Sequence, residues 1–500
     1  VPYLCFDIGS SSLKAALVSE KGDLLSISRR PLGIIHGPNG IHESDASAWI
    51  EAAFDAGEEA IALAKSASSM QGLLKLEVRA ISVSGNGPSL VAIDSSGLPL
   101  GPALSWLDRR AVDEAKEVSE LAGLVVDPTF YLPKALRLWR TSDQRMRDRI
   151  RWFFSCPEFV LFTLCGEAFT YLPDPGYEPY IWNKTMITAI GLPFERFPPF
   201  SAPARIVGKL LPNAANRLGL PPRIPLVSGF PDFLAAIIGS SSVSVGNACD
   251  RSGTSEAINI CADRPFPRRD LLSLPHPIGG LWNLSGGVST AGAALAWLAK
   301  IFRSQSPHAD TASVDALLAE ARCSPPGAHG LVFLPYLAGE RAPLWDASRR
   351  GAFIGLSIDH DRSDFARAAA ESLAYGLKLA SDLARAESFP FRLLRVSGLS
   401  ALDDLLCEIK ADVLGVPVEI PKIAECELVG DAAACAFALG DASGLAEASF
   451  ALVRIARRFE PRASNVYSET FAIFKDALEA LESVDSLSSS RSGSGPMGIK

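Results

Sequence analysis

One pattern occurs twice, about half a chain apart, and it constrains the fold more than any other feature. Near the start, CFDIGSSSLKAAL (Cys5–Leu17) carries an apolar strand into an acid, a glycine and three serines, then back to apolar residues past Lys14. Later, VGNACDRSGTSEAINICA (Val245–Ala262) carries a strand to Asp250, turns through Ser252, Gly253, Thr254 and Ser255, and continues as another strand. Two hairpins of one design predict two similar units, with a boundary near Ser240 to Val245. The expected domains are therefore residues 1–242 and 243–485.

The flanking segments make both units α/β. Tyr3–Ile8, Leu13–Ser19 and Leu24–Arg30 alternate as a meander, and Ala48–Ala67 has helical periodicity. Val78–Gly85 reads as a short buried strand. Ile224–Gly239 reads as strand, glycine turn and a helix opened by Asp232, which is an expected N-cap. Beyond the second hairpin, Gly286–Phe302 is a glycine-rich lead into a helix, Leu393–Ile420 a βαβ unit, and Gly430–Gly440 a small-residue helix. Residues 486–500 are Ser/Gly-rich without apolar periodicity and are expected to be a disordered tail.

Composition narrows the function classes. A 48% hydrophobic, 21% charged chain has the makings of large cores, and a formal charge of −8 argues against nucleic acid or an anionic membrane as main partner. Nine cysteines without CxxC spacing and only six histidines predict free thiols rather than a zinc site. Asp7 interrupts the apolar start, and the uncharged run Phe233–Cys249 is broken by Gly, Ser and Asn, so neither signal peptide nor membrane span is expected. A cytoplasmic location is the expectation.

Backbone N–H groups of a tight Gly/Ser turn converge on an anion, serine hydroxyls add donors, and Lys14 adds positive charge. Asp7 would repel phosphate unless a divalent cation lay between them, which points to Mg²⁺. A Ser-rich turn capped by Asp7 explains one hairpin better; two matching hairpins bring a shared polyphosphate level with that plainer reading. Asp232 is either a plain helix cap or a carboxylate that takes a proton from an attacking hydroxyl. In SWLDRRA, Trp106, Asp108 and Arg110 alternate, so a strand would put all three on one face as a seat for a polyol; a surface ion pair beside a packed tryptophan is the plainer reading of this stretch alone. His42 and Glu43 read as surface residues or the rim of such a site.

These segments, in this order, resemble the FGGY carbohydrate kinases, xylulokinase-like branch, from about Tyr3 to Leu445. The most specific stretch is GLVFLPYLAGERAPLWDASRRGAFIGLS (Gly330–Ser357). The resemblance implies two ribonuclease H-like domains of the actin, Hsp70 and hexokinase type flanking a cleft, and a cytoplasmic enzyme that uses ATP and Mg²⁺. It implies Gly9, Ser10, Ser11, Ser12 and Lys14 as the first phosphate loop, with Asp7 on the metal, and Gly253, Thr254 and Ser255 as the second. Asp232 matches the general base. Trp106, Asp108 and Arg110 match the sugar-side motif, and Lys134 a lysine ahead of a Leu/Trp-rich helix. Gly292 falls near the nucleotide, and Gly398, Leu399 and Asp403 fall at the adenosine loop.

Two departures stand out. Where xylulokinases of this family usually carry Gly-Gln-Met-His-Gly, the chain has Asn86, Gly87 and Pro88 between Gly85 and Ser89, so the sugar-contacting histidine is absent. The adenosine loop keeps only Gly398, with Leu399 in a glycine's place. The expected activity is ATP-dependent phosphorylation of a primary hydroxyl of a ketose or polyol, a pentulose such as xylulose first. A sugar-binding regulatory or inactive relative is the alternative, and an actin- or Hsp70-like ATPase leaves the sugar-side motif unexplained. The expected partner is a small sugar or polyol, with a homodimer left open.

Overall fold

The same sheet plan is built twice. The computed structural model describes residues 1–70, 77–302, 313–346, 348–462 and 465–491. In the first sheet, β1 (Pro2–Ile8), β2 (Ser12–Ser19) and β3 (Leu24–Pro31) form an antiparallel meander. On its other side β1 pairs in parallel with β4 (Ile81–Gly85), which pairs in parallel with β6 (Pro225–Pro231); β5 (Ile206–Lys209) closes the edge antiparallel to β6.

The second sheet follows the same order. β7 (Asn247–Ser252), β8 (Glu256–Ala262) and β10 (Trp282–Val288) are antiparallel neighbours, extended by β9 (Leu272–Pro275). Then β7 pairs in parallel with β11 (Leu393–Gly398), β11 in parallel with β12 (Val418–Pro421), and β13 (Ile455–Phe459) closes antiparallel. The repeat seen in the hairpins therefore extends to both whole sheets, which gives the two-domain α/β architecture expected of the chain.

Two helices join the halves. α1 (Asp232–Gly239) follows β6, and α2 (Cys426–Ala438) follows β12, so they are counterparts in the two copies. They cross at glycines: a Cβ on Gly239 would lie 1.7 Å from Cys426 O, and one on Gly430 2.1 Å from Ala235 O. Only glycine lets backbones approach this closely. The apolar face of α2, including Leu428 and Ala432, is buried with Tyr3 and Cys5 of the first sheet. The close crossing fixes where both helices begin, and both begin at the gap between the sheets.

Three local expectations are corrected. Trp106, Asp108 and Arg110 lie in a turn and irregular chain instead of a strand, because Asp108 folds inward and accepts from the Arg110 backbone N–H. Pro231 is the N-cap of α1, and Asp232 is its first helical residue. The final helix, Asn465–Arg491, extends into the segment read as a tail, whose remainder, 492–500, lies outside the described residues. Among the described residues no helix is long and apolar enough to cross a membrane.

Candidate active site in the gap between the sheets

The first hairpin is closed by Gly9 N–H donating to Ser12 O at 3.0 Å, which leaves Ser10 and Ser12 half-buried and Ser11 exposed. Asp7 and Lys14 are direct cross-strand partners, and Lys14 Nζ donates to Asp7 Oδ2 at 3.0 Å. The other oxygen, Asp7 Oδ1, is buried without a hydrogen-bond partner among the described residues. Burial pushes the Asp7 carboxyl up to about 6; Lys14 opposes this, and Glu427 and Asp232 add to it.

In the second hairpin Gly253 N–H donates to Ser255 O at 2.8 Å. The start of the helix Gly292–Ile301 is bonded to its tip, Gly292 N–H to Gly253 O and Ala293 N–H to Thr254 O, both at 3.1 Å. Gly292 is required there, because a Cβ would sit 2.3 Å from Gly253 O and 2.9 Å from Leu399 Cδ2. Ser252 Oγ donates to Ser397 O and accepts from Ser400 N–H, both at 2.7 Å, which ties the hairpin to the loop at Gly398. Gly398 has φ +73°, and a Cβ there would meet Ser252 O at 1.9 Å.

Alternation along β7 sends its two charges opposite ways. Asp250 points into the core, where Lys410 Nζ reaches Asp250 Oδ2 at 2.5 Å and also Glu256 Oε1. Arg251 points into the gap, where Nη2 donates to Asp232 Oδ2 and Nε to Glu427 Oε1, both at 2.8 Å. Asp232 Oδ1 accepts from Phe233 N–H at 2.7 Å. Burial raises the Asp232 carboxyl above the usual aspartate range although Arg251 opposes it. For Glu427 burial also pushes upward, but Arg251 and Lys14 outweigh it and hold the group below its ordinary value.

The motif at Trp106, Asp108 and Arg110 lies against the first hairpin. Trp106 Nε1–H donates to Ser10 Oγ at 2.8 Å. Buried Asp108 accepts from Arg110 Nε and from His42 N–H, and Arg110 Nη2 also donates to Glu43 Oε1 at 2.6 Å. Lys134 is wholly buried and donates to Pro88 O at 2.7 Å and Ser105 O at 2.6 Å, joining the loop at Asn86–Ser89 to the one at Trp106. The Asn86 amide is used locally, donating to Ile8 O and accepting from Ser89 Oγ.

The gap thus brings together Asp7, Lys14, Asp232, both hairpins and, through Ser10, Trp106. Asp403 stands apart: it caps the helix Asp404–Leu414 and pairs with Arg322. Sequence reasoning passed over Arg251 and Glu427. The usable signals were the opposite facing of neighbours 250 and 251, and the place of Glu427 at the helix that duplicates α1.

Among the described residues no three His, Cys, Asp or Glu side chains form a metal cage. Magnesium does not need one, since it is commonly held by one or two carboxylates and substrate phosphates. The unbonded Asp7 Oδ1 fits that role.

Residues 2–239 match the family model described as the N-terminal domain of the FGGY family of carbohydrate kinases, and residues 251–439 match its C-terminal domain. The chain is 27% identical over 488 residues to a xylulose kinase of Staphylococcus epidermidis, covering 94% of this chain and 95% of that one. It is 28% identical over 513 residues to a glycerol kinase of Thermus brockianus, covering 96% and 97%. The solved xylulose kinase of Rhodospirillum rubrum superposes with a TM-score of 0.81 at 25% identity, covering 97% of this chain and all of that one. With both halves matched and both sheets built to one plan, the chain belongs to the FGGY family of carbohydrate kinases.

Proposed function

We propose that the protein transfers the γ-phosphoryl group of ATP to a primary hydroxyl of a ketose or polyol, a pentulose such as xylulose being the best candidate. The observation that carries this reading is the buried Asp232 carboxylate, held at the start of α1 in the same gap as Asp7, Lys14 and the two hairpins. A carboxylate whose proton affinity is raised by burial suits acceptance of a proton from a hydroxyl as its oxygen attacks phosphorus. Lobes 1–242 and 243–485 would hold sugar and nucleotide respectively.

On the sugar side, Trp106 offers an aromatic face, Asp108 and Arg110 offer paired polar contacts, and the Asn86–Gly87–Pro88 loop shapes the floor. On the nucleotide side, Gly9, Ser10, Ser11, Ser12 and Lys14 would hold the phosphates together with Gly253, Thr254 and Ser255, and Gly292, Gly398 and Leu399 would lie toward the adenosine. Asp403 would act from a distance, by capping its helix. Asp7 would hold Mg²⁺, which when bound neutralises charge on the phosphates. Approach of the lobes excludes water and limits transfer to it. Nine unpaired thiols suit a reducing compartment such as the cytoplasm.

The test is sugar-dependent ADP release over a panel of ketoses, polyols and aldonates. Release with one ketose or polyol far above the rest supports the reading, and none with any of them overturns it. Leu399, which lies against Gly292, favours the second reading, a sugar-binding relative with weakened nucleotide affinity. Sugar binding by calorimetry with no ATP binding in the presence of Mg²⁺ would establish that one instead.

A further inference from the structure

Arg251 has a position that neither of its ion pairs explains as simple stabilisation. It lies on β7 immediately before the Ser252–Gly253 turn, and its side chain reaches Asp232 of the first half. Its partners come from the two duplicated helices: Asp232 at the start of α1 and Glu427 in the first turn of α2. Their side chains are only 12% and 9% exposed, whereas that of Arg251 is 38% exposed and can be reached from the gap. Nη1 has no hydrogen-bond partner among the described residues.

The local charges sharpen the point. Three carboxylates, Asp7, Asp232 and Glu427, meet two cations, Lys14 and Arg251, and Lys14 is already bonded to Asp7. Asp232 Oδ1 is used by the Phe233 N–H and Oδ2 by the guanidinium. In this arrangement each oxygen already accepts one hydrogen bond, and the guanidinium at Oδ2 lowers the carboxylate's affinity for a hydroxyl proton. A guanidinium fork accepts phosphate oxygens as readily as a carboxylate, and the nearest place for phosphate is the adjoining hairpin.

Resting on the kinase reading above, we propose that Arg251 exchanges partners. It holds Asp232 while the gap is empty and turns one arm to the terminal phosphate of the nucleotide when that group arrives, pivoting on its bond to Glu427. Release of the base is thereby tied to the presence of the group to be transferred. Arg251 then contacts a triphosphate but not a diphosphate. A clamp between the two helices would instead treat both nucleotides alike.

The experiment compares wild type, Arg251→Gln and Arg251→Lys by calorimetry with a non-hydrolysable ATP analogue and with ADP, each with Mg²⁺, alongside steady-state kinetics. The preference of wild type for the analogue over ADP should fall by about ten- to a hundredfold in Arg251→Gln, the weight of one charge-assisted hydrogen bond. Its kcat should fall by about 10²–10³-fold with sugar KM little changed, and Arg251→Lys should recover part of both. An analogue-to-ADP ratio equal to wild type in Arg251→Gln, or in Arg251→Met if the glutamine variant does not fold, overturns the inference while leaving the kinase reading intact. Wild type without sugar-dependent ADP release overturns both.

Discussion

Trp106 donates its indole N–H to Ser10 Oγ at 2.8 Å, so the loop that carries it is hydrogen-bonded directly to the first hydroxyl turn. Replacing Trp106 by Phe keeps an aromatic face and deletes that donor. Since a hydrogen bond contributes about 0.5–1.5 kcal/mol net, kcat/KM for the sugar should fall about 2–10-fold. Initial-rate kinetics on the folded variant check this, and an unchanged value would show that the contact does not help to seat the sugar.

Asp232→Asn keeps an acceptor for the Phe233 N–H while abolishing the negative charge. General-base catalysis typically contributes about 10²–10⁴-fold, and kcat should drop by that amount. Sugar affinity by calorimetry should stay near wild type. Turnover close to wild type would remove Asp232 from the role of base.

Gly292→Ala places a methyl group against the backbone of the second hairpin, 2.3 Å from Gly253 O, and neither main chain can yield cheaply. Forcing the two apart should cost about 1–3 kcal/mol. Because the displaced element is the hairpin, the expected signature is weaker nucleotide binding with sugar binding preserved, read by separate titrations. Equal losses on both ligands would place the damage elsewhere.

Burial brings the Lys134 ammonium down to about 7, against about 10.4 in an unfolded chain. Between those values the unfolded state holds more protons than the folded one, so this group's contribution to stability rises with pH. Urea unfolding at several pH values should show the gap between wild type and Lys134→Met widening in favour of wild type from about pH 7 to about pH 10. The variant should be the less stable at the upper end, because Pro88 O and Ser105 O lose their donor. A gap independent of pH would mean that Lys134 is buried charged.

Lys410 lies between Asp250 and Glu256 in the core of the second half. Removing one partner from such a cluster leaves uncompensated buried charge, so Lys410→Met should destabilise by about 3–5 kcal/mol. Burial already raises Asp250 to about 8, with Glu256 pushing the same way and Lys410 opposing. The loss should therefore shrink as pH falls through about 8, where Asp250 takes up its proton; a chemical melt on either side of that pH measures it.

Much of this arrangement was legible in the chain. Strand alternation with an acid, a glycine and hydroxyls at each turn identified both hairpins, since period-two patterning and turn chemistry are local properties. The opening of α1 was misplaced by one residue, from Pro231 to Asp232, because proline and aspartate both suit a helix start. The Trp106–Arg110 alternation imitated a strand, but Asp108 found backbone and guanidinium donors by turning inward.

Local order alone is enough to specify two copies of a strand–turn–strand unit, their polarity, and which residue types crowd each turn. The partners of Arg251 are another matter. Asp232 and Glu427 stand far from each other in the chain, and they meet at one guanidinium because Gly239 and Gly430 let α1 and α2 cross almost backbone to backbone. Contacts of that kind depend on how two separately folded sheets dock, and no periodicity along the chain encodes the distance between them.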